Sequence, residues 1–464
     1  MDSHTKRRLF FGFLSNWVSK FAATIIQFVQ IPVFLHFWSM PLYGEWMIIN
    51  SIPSYLSLSN AGFGSVAGNE MTMMVARDDR AGALRVFQSC WWLIFIICAA
   101  VIVFLGGALY FLPAAHLLKL THISETDTKW IIFYLGVSVL FGQLEGLLQA
   151  AYRSIGRYPF GSFLKSMLTL CAFTCMIVSV TLGAGARLAA LILAVANLAG
   201  SAIQYVMVRR DIPWIKFGWA HAELAEIRRL APLALAFMGF PLGNALNLQG
   251  AVLAVGYALG PVAVVIFGTA RTVSRVAVQM VNMVSNTFEP ELSIAFGAGD
   301  YSLTRVLHRR SCQLALAVAL LVVLLMMAGG PWFLHHWTGG HVPPSRGLLS
   351  VLLLVVVFYS LWSTSASLMT ATNQHQRLAT YYILGTSATC VLCYFLARSF
   401  GLYGAAASLL LSEIVMNTYV VPASVRIAHD TLPAFVASMV HYPPSLRPAA
   451  LYSRFRRSAA SIES

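Results

Sequence analysis

Charged side chains are scarce in this chain. Asp, Glu, Lys and Arg make up only 10% of its 464 residues, whereas a soluble domain carries about 25%. So little charge cannot cover a water-facing surface, which excludes an ordinary soluble protein. Between the charged positions lie about a dozen apolar runs of roughly 20 residues, the length of a helix that spans a bilayer. Because backbone polar groups inside lipid must be satisfied within their own segment, the sequence predicts an all-α integral membrane protein.

Three further features are missing or rare. The seven cysteines lie in or beside apolar runs, so no disulfide framework is predicted, and the C-x-x-C at Cys390 and Cys393 falls inside a predicted span. No nucleotide-binding glycine pattern occurs in a strand–helix context. No segment between the apolar runs is large enough for a catalytic domain. The sequence therefore predicts no enzyme activity, no cofactor and no metal site.

Twelve membrane spans are predicted, six in each half of the chain. In the first half they cover residues 9–36, 43–67, 87–112, 130–152, 161–183 and 187–208. In the second half they cover residues 230–257, 262–287, 311–335, 347–371, 378–398 and 402–423. The first run is far longer than the apolar region of about 7–15 residues in a cleaved signal peptide, so it is interpreted as a span.

The basic residues indicate an orientation. Most of the 31 Lys and Arg residues lie in both tails and in every second connection between spans. Only five fall in the other connections: Lys119, Lys129, Arg187, Arg346 and Arg398. Since cytoplasmic loops carry the excess of Lys and Arg, both termini are predicted to lie in the cytoplasm. The formal charge of +14 is explained by this orientation rather than by nucleic-acid binding.

The same pattern divides the chain into four parts. Residues 1–208 are predicted to form an N-terminal lobe of six helices, and residues 230–423 a C-terminal lobe of six helices. Residues 209–229 connect them on the cytoplasmic side and read as an amphipathic segment at the membrane surface, with a plain loop as the alternative. Residues 424–464 form a basic cytoplasmic tail. Pseudo-symmetric lobes of this kind are a common transporter plan.

The eighth span carries the sharpest polar pattern. Arg271, Arg275, Gln279 and Asn282 recur at spacings of three or four residues, followed by Asn286 and Glu289. These spacings place them on one face of a helix. A charge at the centre of a bilayer costs at least about 2.5–3.5 kcal/mol, so this face is predicted to meet protein or water.

Two other spans carry thinner polar stripes. The first span has Asn16, Lys20 and Gln27, and the seventh has Asn244 and Asn247. If these stripes converge with the eighth span, they line a central cavity with three fixed cations: Lys20, Arg271 and Arg275. Such a cavity suits a phosphate or pyrophosphate, to which Arg offers bidentate hydrogen bonds and Lys a point charge.

Carboxylates inside the spans offer another interpretation. Glu145 and Glu413 lie well inside spans, and Glu45 lies nearer an interface. They either pair with the cations and hold helices together, or they carry protons that couple transport to a gradient. Lys165 is expected to begin a span and to extend towards the interface.

One segment resembles a known family. The residues Ile25-Ile-Gln-Phe-Val-Gln-Ile-Pro-Val-Phe-Leu35, Leu42-Tyr-Gly-Glu-Trp46 and Ser59-Asn-Ala-Gly-Phe-Gly64 resemble the first two spans of O-antigen-type lipid-linked oligosaccharide flippases. These polysaccharide transporters belong to the multidrug/oligosaccharidyl-lipid/polysaccharide (MOP) exporter superfamily. Gly401-Leu-Tyr-Gly-Ala-Ala at the last span is similar to the family's repeat of that turn.

The resemblance implies a fold and a substrate. It implies about twelve transmembrane helices in two six-helix lobes around a central cavity, which spans one, two, seven and eight face. It implies transport of a polyprenyl-pyrophosphate-linked oligosaccharide across the bacterial inner membrane for lipopolysaccharide or exopolysaccharide synthesis. The partners are then that lipid-linked substrate and membrane lipid, with other polysaccharide-assembly membrane proteins as further candidates.

Two alternatives stay open from the sequence. The first is a multidrug or cation antiporter of the same superfamily, although the first span bears Lys20 and no carboxylate. The second is a membrane-embedded polysaccharide polymerase or ligase. Such an enzyme needs a sizeable external loop, and the longest one here, at about residues 113–129, has only Glu125 and Asp127 as acids.

Overall fold

The computed structural model describes residues 24–57, 62–372, 374 and 376–440. All regular secondary structure in these ranges is helical, in agreement with the predicted fold class. Nine helices among them are long and apolar enough to cross a membrane. The chain is therefore a multi-pass membrane protein.

Sixteen α-helices and one π-helical turn follow one another along the described chain. They are α1 (Thr24–Phe37), α2 (Met40–Leu56), α3 (Phe63–Ala76), α4 (Arg80–Phe111), α5 (Ala114–Leu117), α6 (Glu125–Ser154), α7 (Tyr158–Thr181), α8 (Ala186–Asp211), α9 (Leu224–Phe237), α10 (Gly239–Ala245), the π turn (Leu246–Gly250), α11 (Ala251–Leu259), α12 (Pro261–Gly297), α13 (Tyr301–Trp337), α14 (Arg346–Ala371), α15 (Gln376–Ile427) and α16 (Leu432–Val440).

Side-chain caps explain several helix starts. Asp79 accepts a hydrogen bond from the backbone N–H of Gly82 at 2.7 Å and so caps α4. Ser124 accepts one from the N–H of Asp127 at 3.1 Å and caps α6. Each cap satisfies a backbone donor that the first turn of a helix cannot satisfy itself.

Three helical regions differ from uniform spans. The predicted span over residues 43–67 is not one helix, because α2 ends at Leu56 and α3 begins after Gly62, whose φ is +76°. The predicted span over residues 230–257 is divided between α9, α10, the π turn and α11. The range of α15 contains two helices that meet at Gly401, whose φ of +62° and ψ of −147° are not helical, so the last two predicted spans are separated at this residue. Glycine adopts positive φ without the steric cost that other residues meet.

The chain forms two compact units. The first runs as far as Thr272 and adds Pro331–Leu348 and Tyr382–Ser408. The second contains Val273–Gly330, Leu349–Tyr381 and the described residues from Leu409 onward. The two six-helix lobes, the connector and the tail predicted from the sequence remain predictions.

In the first unit, the Tyr-Gly-Glu-Trp sequence of α2 forms a buried corner. Tyr43 stacks on Phe34 of α1 with ring centroids 5.3 Å apart, and Trp46 is only 1% exposed. Gly44 lies against the start of α12, where an added Cβ would come within 2.1 Å of the carbonyl oxygen of Pro261. This spacing leaves no room for a side chain at position 44.

Glu45, the third residue of this sequence, holds a loop against α2. Its carboxylate is fully buried and accepts backbone N–H bonds from Thr121, His122 and Ile123 at 2.6, 2.8 and 2.7 Å. The ring nitrogen Nδ1 of His122 lies 3.1 Å from the same carboxylate. These bonds offset the cost of burying the charge and hold the loop before α6 against α2.

In the second unit, an ion pair fastens the segment before α16. The guanidinium of Arg309 donates to both carboxylate oxygens of Asp430, at 2.7 and 2.5 Å, and the Asp430 side chain is 3% exposed. Phe435 of α16 is buried beside Cys312 of α13 and Val425 of α15. The short apolar helix therefore packs against its own unit.

We expect the substitution Glu45→Gln to destabilise the protein by about 1–3 kcal/mol, because the new amide group would face buried N–H donors. The measurement is the thermal unfolding midpoint of purified protein in detergent. Asp78→Asn is the control, since the Asp78 side chain is 91% exposed. Equal midpoints for the two variants would contradict the structural role of Glu45.

The Arg309–Asp430 pair predicts a pH dependence. Burial by itself raises the pKa of Asp430. Hydrogen bonds from Arg309 and from the N–H of Thr431 outweigh this effect, so the pKa lies below its ordinary value of 3.8. A group with a lowered pKa contributes stability above its ordinary pKa and loses it as the pH falls through the lowered pKa. The difference in unfolding midpoint between wild type and Asp430→Asn should therefore be constant near neutral pH and shrink in acid. A difference that grows in acid would contradict the ion pair.

Candidate functional site

Arg271 of α12 is held by the π turn of the preceding span. Its guanidinium donates to the carbonyl oxygens of Asn247 and Leu248 at 2.9 and 3.2 Å, and to the side-chain oxygen of Asn247 at 2.5 Å. The guanidinium carbon also lies 5.9 Å from the ring centre of Phe267. Two predicted cavity residues, Arg271 and Asn247, are thus brought together.

The π turn makes this arrangement possible. Three consecutive carbonyls of the turn accept side-chain hydrogen bonds. The thiol of Cys390 donates to the carbonyl of Leu246 at 3.2 Å, and Arg271 donates to the next two carbonyls. A π turn replaces the usual i→i+4 bonding and is frequent at functional sites. Cys390, one of the C-x-x-C pair, here acts as a helix-to-helix contact.

Glycines let this span approach the first part of α15. A Cβ on Gly243 would lie 2.4 Å from the ring of Tyr382, and a Cβ on Gly250 would lie 2.3 Å from the sulfur of Cys390. Small residues allow such close backbone approach between helices in membranes. The π turn is therefore held between α12 and α15 within the first unit.

Solved structures with the same fold were found. An inward-facing multidrug resistance MATE family transporter of the MOP superfamily matches with a TM-score of 0.68 at 15% identity, over 88% of this chain and 98% of that chain. The lipid II flippase MurJ, in an inward closed conformation, matches with a TM-score of 0.68 at 12% identity, over 92% of this chain and 90% of that chain. No protein-family model and no curated protein sequence matches this chain.

A third structure is a MOP superfamily transporter from Pyrococcus furiosus, described as having a binding pocket of reverse polarity. It matches with a TM-score of 0.55 at 13% identity, over 90% of this chain and 94% of that chain. This chain has the fold that these structures share. That fold has twelve helices, and at these identities the likeness concerns the fold alone.

The structure describes most of the other predicted cavity residues. Asn282 of α12 accepts a hydrogen bond from the hydroxyl of Tyr359 at 3.0 Å within the second unit. Gln279 and Asn244 are exposed, and Gln27 and Arg275 are half-buried. The residues Asn16 and Lys20 lie outside the described part of the chain. The cavity predicted from all of these residues remains a prediction.

The three carboxylates each have polar partners in the structure. Glu145 of α6 lies 3.7 Å from the ammonium group of Lys165 and accepts a hydrogen bond from the hydroxyl of Ser201. Glu413, 5% exposed, accepts a hydrogen bond from the indole N–H of Trp362. Glu45 fastens the loop before α6. No group of three potential metal ligands occurs among the described residues.

A second polar region was missed by sequence reasoning. A cavity of about 510 Å³, here called the α6–α7 pocket, lies in the first unit. Its lining comprises Ile26, Gly64, Ser65, Gly68, Gly146, Gln149, Ala150, Arg153, Tyr158, Ser162, Lys165, Ser166 and Thr169.

A signal for this pocket is present in the sequence. On α7, Ser162, Lys165, Ser166 and Thr169 recur at three- and four-residue spacings and share one helix face. Arg153 belongs to the basic residues between spans, which indicate membrane orientation and by themselves no pocket. The ammonium group of Lys165 lies beside Glu145, and its expected extension towards the interface remains a prediction.

We expect Asn247→Leu to destabilise the protein, because it removes a hydrogen-bond acceptor from a charged group, an interaction of about 1.5–3 kcal/mol. The measurement is again the thermal unfolding midpoint in detergent. Asn244→Leu is the matched control, three residues earlier and exposed. If both substitutions shifted the midpoint equally, the Asn247–Arg271 contact would not be stabilising.

Proposed function

We propose that the protein is a flippase that moves a polyprenyl-pyrophosphate-linked oligosaccharide across the bacterial inner membrane for cell-surface polysaccharide synthesis. The observation that carries the proposal is the Arg271 site on a MOP transporter fold. The guanidinium is part of a membrane-spanning helix, where a cation is expensive and is most often functional. The pyrophosphate linkage is the anionic part of such a substrate.

The partners of Arg271 suit an anion site. Two backbone carbonyls and one side-chain amide oxygen accept hydrogen bonds from Arg271 and fix its orientation. Arg also offers a planar fork that matches phosphate oxygens in pairs. The site can therefore be both ordered and attractive to phosphate.

Transport would follow from alternating access. The pyrophosphate binds at Arg271 while the polyprenyl chain stays in lipid, and the site is then exposed to the other side of the membrane. Binding can favour this change only through contacts that differ between the two states. In this proposal, Lys20 and Arg275 supply further positive charge. Membrane lipid and other polysaccharide-assembly membrane proteins are the proposed partners.

The competing function is a multidrug or cation antiporter. The MATE transporter and MurJ match this chain with the same TM-score. The fold is therefore equally compatible with an antiporter and with a flippase. An antiporter for cations needs carboxylates that can bind them. The carboxylate of Glu145 lies beside Lys165 and that of Glu413 beside Trp362, so an amine or an indole N–H already lies against each. Those contacts support the flippase.

We expect Arg271→Ala to lower the rate of lipid translocation by about 10–100-fold, because a hydrogen bond to a charged group contributes roughly 1.5–3 kcal/mol. The measurement is flipping of a fluorescent polyprenyl-pyrophosphate oligosaccharide in proteoliposomes. Arg271→Lys should retain part of the rate, since it keeps the charge but loses the planar fork.

Arg187→Ala is the matched control, because Arg187 pairs with Asp127 at 3.3 Å near the starts of α8 and α6. Its rate should equal that of wild type. Undiminished flipping by a folded Arg271→Ala protein would reject this mechanism. Counter-transport of a cationic dye without lipid flipping would favour the antiporter, and new glycosidic bonds made by purified protein would favour a polymerase.

A further inference from the structure

The α6–α7 pocket has the composition of a binding site. Its volume of about 510 Å³ falls in the range of roughly 300–1,000 Å³ that is usual for ligand pockets. Two cations, Arg153 and Lys165, line it together with the phenol of Tyr158 and several hydroxyls. No Asp or Glu is among the described lining residues. The pocket therefore presents positive charge and hydrogen-bond donors.

Helix geometry arranges the two cations by depth. Arg153 is the penultimate residue of α6, and Tyr158 is the first residue of α7, so both lie where the two helices are joined. Lys165 lies seven residues into α7, or about 10 Å at 1.5 Å per residue. The N-terminus of α7 adds positive potential at the same end. The pocket thus has one cation at its rim and another deeper along the helix.

Small residues leave room beside these cations. Gly64, Gly68, Gly146 and Ala150 form part of the lining. A Cβ on Gly68 would lie only 3.3 Å from the Cβ of Ala150, so α3 and α6 are in close contact there. A larger residue at position 68 would occupy the space next to Arg153.

The two cations differ in their partners. Lys165 lies 3.7 Å from Glu145, and its side chain is 41% exposed, so it can meet a second anion. Arg153 is exposed, and among the residues that the structure describes it forms no ion pair. The neighbouring Arg157 differs in that it pairs with Asp211 at 3.7 Å and lies outside the pocket lining. Positive charge is therefore accessible inside the pocket.

We propose that the α6–α7 pocket binds the phosphate headgroup of an anionic membrane lipid, with Arg153 and Lys165 as its cationic ligands. Glu145 lies 3.7 Å from Lys165, so an incoming phosphate competes with this carboxylate for the ammonium group. A phosphate ester accepts the hydrogen bonds that these groups donate. The phosphate can come from a phospholipid or from a polyprenyl diphosphate. This site is separate from Arg271 and does not depend on the flippase proposal.

The test measures binding of short-chain lipids to the purified full-length protein by native mass spectrometry. The probes are dioctanoyl phosphatidylglycerol, farnesyl diphosphate and, as a zwitterionic comparison, dioctanoyl phosphatidylcholine. At least one anionic probe should bind about tenfold more tightly than phosphatidylcholine, because the anionic probes carry net negative charge and phosphatidylcholine does not. Tighter binding of phosphatidylglycerol identifies a phospholipid site, and tighter binding of farnesyl diphosphate identifies a prenyl diphosphate site. Equal binding of all three probes would overturn the proposal.

Variants then assign the site to these residues. Arg153→Gln and Lys165→Gln should each weaken anionic lipid binding by about tenfold, whereas Arg157→Gln should change it less than about twofold. Glu145→Gln should strengthen binding several-fold, because it removes the competing carboxylate. An ion pair that only stabilised the fold would not give this increase, so the result distinguishes lipid binding by Lys165 from a purely structural role.

A weaker affinity in Glu145→Gln, or an equal loss in Arg153→Gln and Arg157→Gln, would overturn the assignment. Thermal midpoints of all variants are measured alongside. If Lys165→Gln failed to fold, the comparison of Arg153→Gln with Arg157→Gln would still decide the outcome.

Discussion

A charge inside a membrane protein must be compensated by nearby polar atoms, and this requirement shapes the arrangement of the first unit. Arg271 is compensated by carbonyls of a π turn, Glu45 by three consecutive backbone N–H groups, and Lys165 by Glu145. Each solution joins segments that are distant in sequence. The few charges of the chain therefore determine which helices and loops lie together, while apolar residues fill the remaining contacts.

The compensation differs in kind between these places. Around Glu45 it is complete within the fold, since the carboxylate is fully buried and surrounded by donors. Around Arg271, two backbone carbonyls and an amide oxygen accept hydrogen bonds from the guanidinium. Full compensation is what a structural charge requires. Lys165, whose side chain is 41% exposed, has a single carboxylate beside it, which leaves positive charge that a phosphate can approach.

Much of the fold could be predicted from the sequence, because the length and spacing of apolar runs are set by the membrane. The polar face of α12 was likewise visible as a helical repeat, and Arg271 does lie beside Asn247 as the predicted convergence of stripes requires. The π turn could not be predicted, since it depends on contacts with Cys390 and Arg271 from two other helices. The α6–α7 pocket was missed although α7 carries a polar face, because the residues opposite that face, among them Arg153 and Gln149, come from α6, and the sequence does not show which helices lie together.

The π turn also makes the exact residue count of its span important. A ring closed by an i→i+5 bond contains one residue more than an α-helical ring. Because the wider ring absorbs that residue, the helix from Ala251 onward faces as it would after an uninterrupted α-helix one residue shorter. Gly256 therefore still packs against Ile48 of α2. Loss of one residue between Leu246 and Gly250 would remove the π turn and the carbonyls it offers to Arg271, while the rest of the span kept nearly the same orientation.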